Sequence, residues 1–218
     1  MIALAEDLQS GAGACTPTHM LALRTAAVAR ELGAAPDVIA GALNAVHHAN
    51  RHGDPDDRIA VALPGLRLAR GRALPGAEVV SFGSAAALER LRDLEGVDRL
   101  LRRGMIDAVD IEEAWGDPGE PGTAFVRDRR AARRSPGAVR RARARAERRG
   151  KPFSEAARTE APDPSILALH YGSTVVHLRT ETASIGAGPI QIGTFGFSPA
   201  SAPAALPILL DGADPLGG

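Results

Sequence analysis

Two features of this chain could do chemistry: the neighbouring imidazoles His47 and His48, and a run of eleven arginines between Arg127 and Arg149. Imidazole changes protonation state near neutral pH, so a positioned histidine can take or give a proton during a reaction. Residues 36–51, PDVIAGALNAVHHANR, place Val38, Ile39, Ala42, Leu43 and Val46 on one face behind a proline suited to a first turn. That spacing predicts a helix that carries both histidines near its end. His48 and His52 stand four residues apart, a spacing that suits a metal pair, yet no Glu or Cys nearby completes a ligand set. A purely structural histidine is the other reading.

The arginine run (127, 129, 130, 133, 134, 140, 141, 143, 145, 148, 149) is opposed only by Asp128 and Glu147, for a local charge of +9. Ser135-Pro136 opens a helical stretch and Gly150 is placed to stop it. On that helix Arg141, Arg145, Arg148 and Arg149 fall in one arc, while Val139, Ala142 and Ala146 lie opposite and can face the protein body. Like charges at i,i+4 repel, so the stripe opposes its own helix unless a polyanion relieves it. The bland alternative is a solvated helix or basic linker in a chain of Ala/Arg/Gly-biased composition. The missing acidic counterweight favours nucleic acid, without separating DNA from RNA.

Elsewhere the charge is balanced: 26 basic and 26 acidic residues, with Lys151 the one lysine. The remainder of the chain is therefore acidic, and global electrostatics does not select the partner. With 218 residues and 44% hydrophobic content, the chain can bury a core in one large domain or two small ones. A single cysteine, Cys15, excludes an internal disulfide framework and suits a reducing cytoplasm. No signal-peptide pattern and no membrane-spanning apolar run is evident, so a soluble, cytoplasmic protein is expected.

The elements that must position these residues follow from patterning. Asp57–Pro64 alternates Ile59, Val61 and Leu63 as a strand with one buried face, and Ala77–Phe82 reads as a second. Ser84 caps a helix that breaks near Gly96, and Ile106–Ile111 reads as a further strand. Helix, strand, strand, helix, strand is what remains of a ferredoxin-like unit lacking its first strand. Met1–Leu8 is the candidate for that strand, because Thr18–Leu32 reads as an extra helix. Gly116–Gly122, GDPGEPG, is a natural boundary. Beyond it, Ile166–His170, Thr174–Thr180 and Pro189–Phe197 are strand-like, and the tail from Ala200 stays unassigned. The expected class is α+β: a ferredoxin-like domain with an atypical N-terminal segment over 1–115, and a C-terminal α/β region over 123–218 with an arginine-rich helix at about 136–149.

In order and spacing, these pieces resemble the CRISPR pre-crRNA processing endoribonucleases of type I-F systems, including the transposon-associated versions. The resemblance runs from about Pro36 to about Pro207. It rests on the His47-His48 helix followed by DRIAV and a proline, on the arginine segment ending in VRRARARAERRGKPF, on Leu169–Thr174, and on Phe195-Gly196-Phe197-Ser198. It implies an RNA-binding protein that grips a repeat hairpin with Arg130, Arg133, Arg134, Arg140, Arg141, Arg145, Arg148 and Arg149 and cuts at the 3′ base of the stem. No metal or other cofactor is implied. The partners implied are the repeat RNA and mature crRNA and the other subunits of an effector complex; alone, the chain is expected to be a monomer.

The implied chemistry is attack of the 2′-hydroxyl on the adjacent phosphate, leaving a 2′,3′-cyclic phosphate, with one histidine handling the proton. Counting back from Asp57-Arg58-Ile59 without a gap selects His48, and because this register also places Pro36, Ile39 and Leu43, His48 is the expected catalytic histidine. The family pattern of an aliphatic residue before the histidine selects His47 instead. Ser173 matches the family's active-site serine, and Tyr171 stands where some members have another. Phe195 stands where the family has a tyrosine, so a site hydroxyl is missing unless Tyr171 substitutes for it. Ala132 occupies the place of a base-reading glutamine, and His177 or Leu178 that of the aromatic that stacks on the terminal base pair. Two other readings remain: a hairpin-binding crRNA-complex subunit with weak or no cleavage, and a general arginine-rich nucleic-acid-binding protein.

Overall fold

A computed structural model of the chain describes residues 11–69, 72–107, 110–129, 136–153, 165–171 and 174–208. The architecture is mixed α+β. Among the described residues there are five helices and three sheets, and no helix is long and apolar enough to cross a membrane.

The chain opens with strands β1 (Ala12–Cys15) and β2 (His19–Arg24), a short helix α1 (Ala27–Glu31) and the long helix α2 (Ala35–His52). Strand β3 (Ala60–Ala62) and a hairpin of β4 (Arg67–Ala69) and β5 (Arg72–Leu74) lead to β6 (Glu78–Gly83). Helices α3 (Ala85–Arg92) and α4 (Glu95–Arg102) precede β7 (Ile111–Glu113). A four-stranded antiparallel sheet runs in the order β3-β6-β2-β7, with α2 and α3 packed against it and α1 and α4 packed against α2.

The expected helix over 36–51 forms with its apolar face buried: Val38, Ile39, Ala42, Leu43 and Val46 are 0–2% exposed. Ser84 caps α3 as expected, accepting from the Ala87 N–H at 3.0 Å while its hydroxyl donates to Asp57 at 2.7 Å. The break between α3 and α4 falls at Asp93-Leu94. Two expectations need correction. Thr18–Leu32 is not one helix: HMLALR is strand β2, with Leu21 and Leu23 fully buried on one face, and only Ala27–Glu31 is helical. Leu, Ala and Met favour helices in isolation, and pairing on both sides of β2 overrides that preference. The strand at Asp57–Pro64 shrinks to β3 and is buried on both faces, because Ala60 and Ala62 turn into the protein as fully as Val61 does. In Ile106–Ile111, Ile106 forms an isolated bridge to Thr25 and Ile111 opens β7, while residues 108–109 lie outside the described residues. Met1–Leu8 lies outside the described residues.

The second sheet is built on β8 (Pro121–Arg127) and β10 (Thr174–Ser184), antiparallel from Arg127↔Leu178 to Pro121↔Ser184. Strand β9 (Leu167–Tyr171) pairs with β10, and the β4–β5 hairpin joins β9 through Ala73↔Leu169. Strands β12 (Ser198–Pro199) and β13 (Ala205–Leu206) lie along β8, so part of the unassigned tail is ordered. The third sheet pairs β1 with β11 (Ile190–Gly193). One buried apolar cluster includes Leu21, Ile39, Phe82 and Leu88 together with Phe125, Leu169, Leu178 and Phe197. The sheets and core therefore join residues on both sides of Gly116–Gly122.

Two buried polar side chains fix the end of α2 and the segment that follows it. Asn50 is 3% exposed; its amide nitrogen donates to the Ile59 carbonyl and its oxygen accepts from the Ile59 N–H, both at 2.8 Å. Arg58, 5% exposed, donates through Nη1 to the Gly11 carbonyl at 2.9 Å and the Ile192 carbonyl at 3.4 Å. Replacing Asn50 with alanine strands a donor and an acceptor in the core. At 1–3 kcal/mol for each buried unsatisfied group, a loss of roughly 2–4 kcal/mol is expected in urea denaturation. A loss below about 0.5 kcal/mol, the usual range for a surface substitution, would show that this clamp is not needed.

Candidate active site and nucleic-acid interface

The two histidines of α2 point into different surroundings. At 3.6 residues per turn, neighbours on a helix are turned by about 100° from each other. His48 is exposed, 4.5 Å from the His52 ring. It borders a cavity of about 440 Å³ between α2 and α4, together with Gly41, Asn44, Leu94 and Arg99. His47 is half-buried on the side that meets the C-terminal part of the chain.

There the turn between β11 and β12 is tight. Gly196 adopts φ of +80°, its N–H donates to the Gly193 carbonyl at 2.9 Å, and its carbonyl accepts from the Val61 N–H at 2.8 Å. A side chain at Gly196 would run into Val61. Anchored on β3 in this way, the turn presents the Thr194 carbonyl and the Phe195 ring to α2. The Phe195 and His47 rings stack with centroids 4.0 Å apart and planes 14° apart. The guanidinium of Arg127, the last residue of β8, lies 4.4 Å from the centre of the same Phe195 ring.

His47 Nδ1 lies 3.2 Å from the Thr194 carbonyl oxygen. A carbonyl only accepts, so the Nδ1–H donates to it, and Nε2 of the neutral ring is left with its lone pair. Burial pulls the His47 pKa below its ordinary 6.5, and the positive charges of Arg51, Arg127 and His48 pull in the same direction; the bond to Thr194 opposes them. The side chain is therefore a neutral base at physiological pH in the free protein. Cys15 offers no alternative nucleophile, because burial pushes its thiol up to about 12.

Helix α5 (Pro136–Arg148) carries the arginine stripe. Arg140, Arg141, Arg145, Arg148 and Arg149 are all exposed, whereas Val139, Ala142 and Ala146 are half-buried. Gly150 ends the helix at φ +60°, with its N–H donating to Glu147 and that of Lys151 to Ala146, the paired bonds of a Schellman cap. Arg143 lies 5.4 Å from the centre of the Phe153 ring. Arg127 precedes Pro136 by nine residues, so the stack and the stripe are linked by at most about 30 Å of extended chain.

Tyr171 closes β9 and pairs with Thr174 across the hairpin, and β9 packs against α2. Along β10 this end is four residues, about 13 Å, past the level of Arg127. Ser173, Arg130, Arg133 and Arg134 lie outside the described residues. Sequence reasoning counted Arg127 in the basic run without giving it a place at the histidine. Its signal was weak: an arginine at the end of a strand, whose ring partner lies 68 positions later. His177 and Leu178 sit within β10; Leu178 is fully buried and therefore unavailable to stack on a base pair. No protein-family model matches the chain, and no curated protein matches it.

Proposed function

We propose that this chain is a CRISPR repeat endoribonuclease of the type I-F kind. On this reading a ferredoxin-like N-terminal domain supplies the histidine, and a C-terminal region grips the repeat hairpin with its arginine helix. The chain cuts at the 3′ base of the stem and remains on the crRNA as a subunit of an effector complex. Support for the ferredoxin-like part comes from the element order β2, α2, β3, β6, α3 with α4, β7, and from a sheet order that puts β2 and β6 at the centre. The observation that carries the proposal is the stack of His47 on Phe195. Phe195 stands where the resembled family has a site tyrosine, and it meets a histidine of the predicted catalytic helix across 148 residues of sequence.

That contact favours His47 over His48, against the gapless register. In the reaction, His47 Nε2 takes the proton of the 2′-hydroxyl. The freed oxygen attacks the adjacent phosphorus, the bond from phosphorus to the 5′-oxygen breaks, and the leaving oxygen takes a proton from water or from the imidazolium. The expected products of the repeat hairpin in excess EDTA are a 2′,3′-cyclic phosphate and a 5′-hydroxyl. A 3′-hydroxyl with a 5′-phosphate, or cutting that requires added metal, would contradict this chemistry.

The lowered His47 pKa has a measurable consequence. A base must be deprotonated to act, so activity falls as pH drops through its pKa. The second-order cleavage rate constant, which reports the free protein, is expected to lose activity only below pH 6.5. An acidic limb centred above that value would mean that another group is the base.

One observation favours a second reading, a hairpin-binding subunit with weakened cleavage. Phe195 offers a flat ring and no hydroxyl where the family uses one. Tight hairpin binding with a trace of EDTA-resistant cutting is its signature. Equal affinity for hairpin, scrambled RNA and duplex DNA would instead indicate a general arginine-rich nucleic-acid binder.

A further inference from the structure

The described cleavage needs more than a base. As the 2′-oxygen attacks, negative charge builds on the oxygens of the phosphate, and a fixed cation or donor there lowers the barrier. One guanidinium with a defined place beside the His47 stack is that of Arg127. Its distance of 4.4 Å from the Phe195 centroid and the 4.0 Å between the Phe195 and His47 centroids share one ring, so the Arg127 carbon lies at most 8.4 Å from the centre of the imidazole.

A separation within that bound suits a single phosphate held between the two groups. An imidazole nitrogen within hydrogen-bonding reach of a 2′-oxygen puts the attacked phosphorus about 5 Å away. A guanidinium bonded to a non-bridging oxygen sits about 4 Å from the same phosphorus. A phosphate at the rim of the Phe195 ring can therefore touch both groups. Arg127 also borders a cavity of about 530 Å³ with Asp128, Arg129, Arg179 and Ser201. Arg127 is seated against the face of the Phe195 ring on which the imidazole also stacks.

We infer that Arg127 is a second catalytic residue, one that donates to a non-bridging oxygen of the scissile phosphate while His47 takes the 2′-proton. The Phe195 ring acts as the spacer that holds the cation and the base at a fixed separation. Where the resembled family places a hydroxyl, this chain sets a charge beside an aromatic face. The inference rests on the nuclease reading above.

The test compares Arg127→Gln and Arg127→Lys with the unchanged chain, on the repeat hairpin and on the same hairpin with a single 2′-deoxynucleotide at the cut. Loss of one donor to developing charge typically costs about 100-fold or more in rate. Arg127→Gln should lower the single-turnover rate by roughly that factor while the uncleavable hairpin binds within about fivefold, which also shows that the variant is folded. Arg127→Lys, which keeps the charge without the planar fork, should recover part of the rate. The acidic limb of the rate profile should move to higher pH in Arg127→Gln and stay in place in Arg127→Lys. The groups that set it are His47 itself, Arg51, His48 and Arg127; a merely structural arginine would move the limb in the same way, so its role is read from the plateau rate above the limb, which such an arginine leaves unchanged once folding is intact. An Arg127→Gln chain that cuts as fast as the unchanged one overturns the inference and leaves the nuclease reading standing. An unchanged chain that binds the hairpin and never cuts it overturns both.

Discussion

Replacing His47 with alanine should reduce single-turnover cleavage of the repeat hairpin by two to four orders of magnitude, the usual worth of a positioned general base. The same change at His48 should cost less than about threefold. The two residues share a helix, a residue type and a sequence neighbourhood, so a difference between them has to come from their surroundings. His47 donates Nδ1–H to the Thr194 carbonyl and stacks on Phe195, which fixes both its tautomer and its plane. His48 is exposed, with His52 and the α2–α4 cavity beside it. Binding of an uncleavable hairpin should be unchanged in both variants. Equal loss of cutting in the two would remove the geometric basis for choosing His47.

The second large effect concerns binding. Exchanging Arg141, Arg145, Arg148 and Arg149 together for glutamine removes four exposed cations from one arc of α5. Each phosphate neutralised on a duplex contributes about 0.9 to the slope of log affinity against log salt. Losing four should flatten that slope by about 3.6 and weaken hairpin binding at low salt by roughly two orders of magnitude. Glutamine forms helices about as well as arginine, and removing like charges at i,i+4 relieves repulsion, so helix content should hold or rise. A variant with intact helicity and unchanged affinity would show that the stripe faces solvent in the complex.

What could be read from the sequence, and what could not, divides by range. Helix α2 announced itself because Val38, Ile39, Ala42, Leu43 and Val46 repeat at helical spacing and end at a glycine. The Ser84 cap was equally legible, since a cap is made within one turn of chain. Strand β2 was misread because HMLALR has the composition of a helix; its alternation is visible only once β6 and β7 flank it. The pairing of β1 with β11 joins Ala12 to Gly193, and no local pattern encodes a contact over that span. The same holds for Arg58 reaching Ile192 and for Asn50 clamping Ile59.

The candidate site follows the same rule. The arginine stripe was readable from 3.6-residue spacing alone, including the glycine that stops it. The choice between His47 and His48 was not, because a register shift of one residue separates the two readings while the helix turns by about 100° between them. Only the fold of the distant Gly193–Phe197 turn distinguishes their surroundings, and Arg127 enters the site by the same long-range route.

The most direct measurement uses two copies of the repeat hairpin that differ in one atom, a ribonucleotide or a 2′-deoxynucleotide immediately 5′ of the cut, each incubated with excess protein and EDTA. If His47 activates the 2′-hydroxyl, both RNAs bind equally, the first is cut to a 2′,3′-cyclic phosphate, and the second stays whole. Cutting of the deoxy substrate, or failure to bind either RNA at moderate salt, would contradict the account.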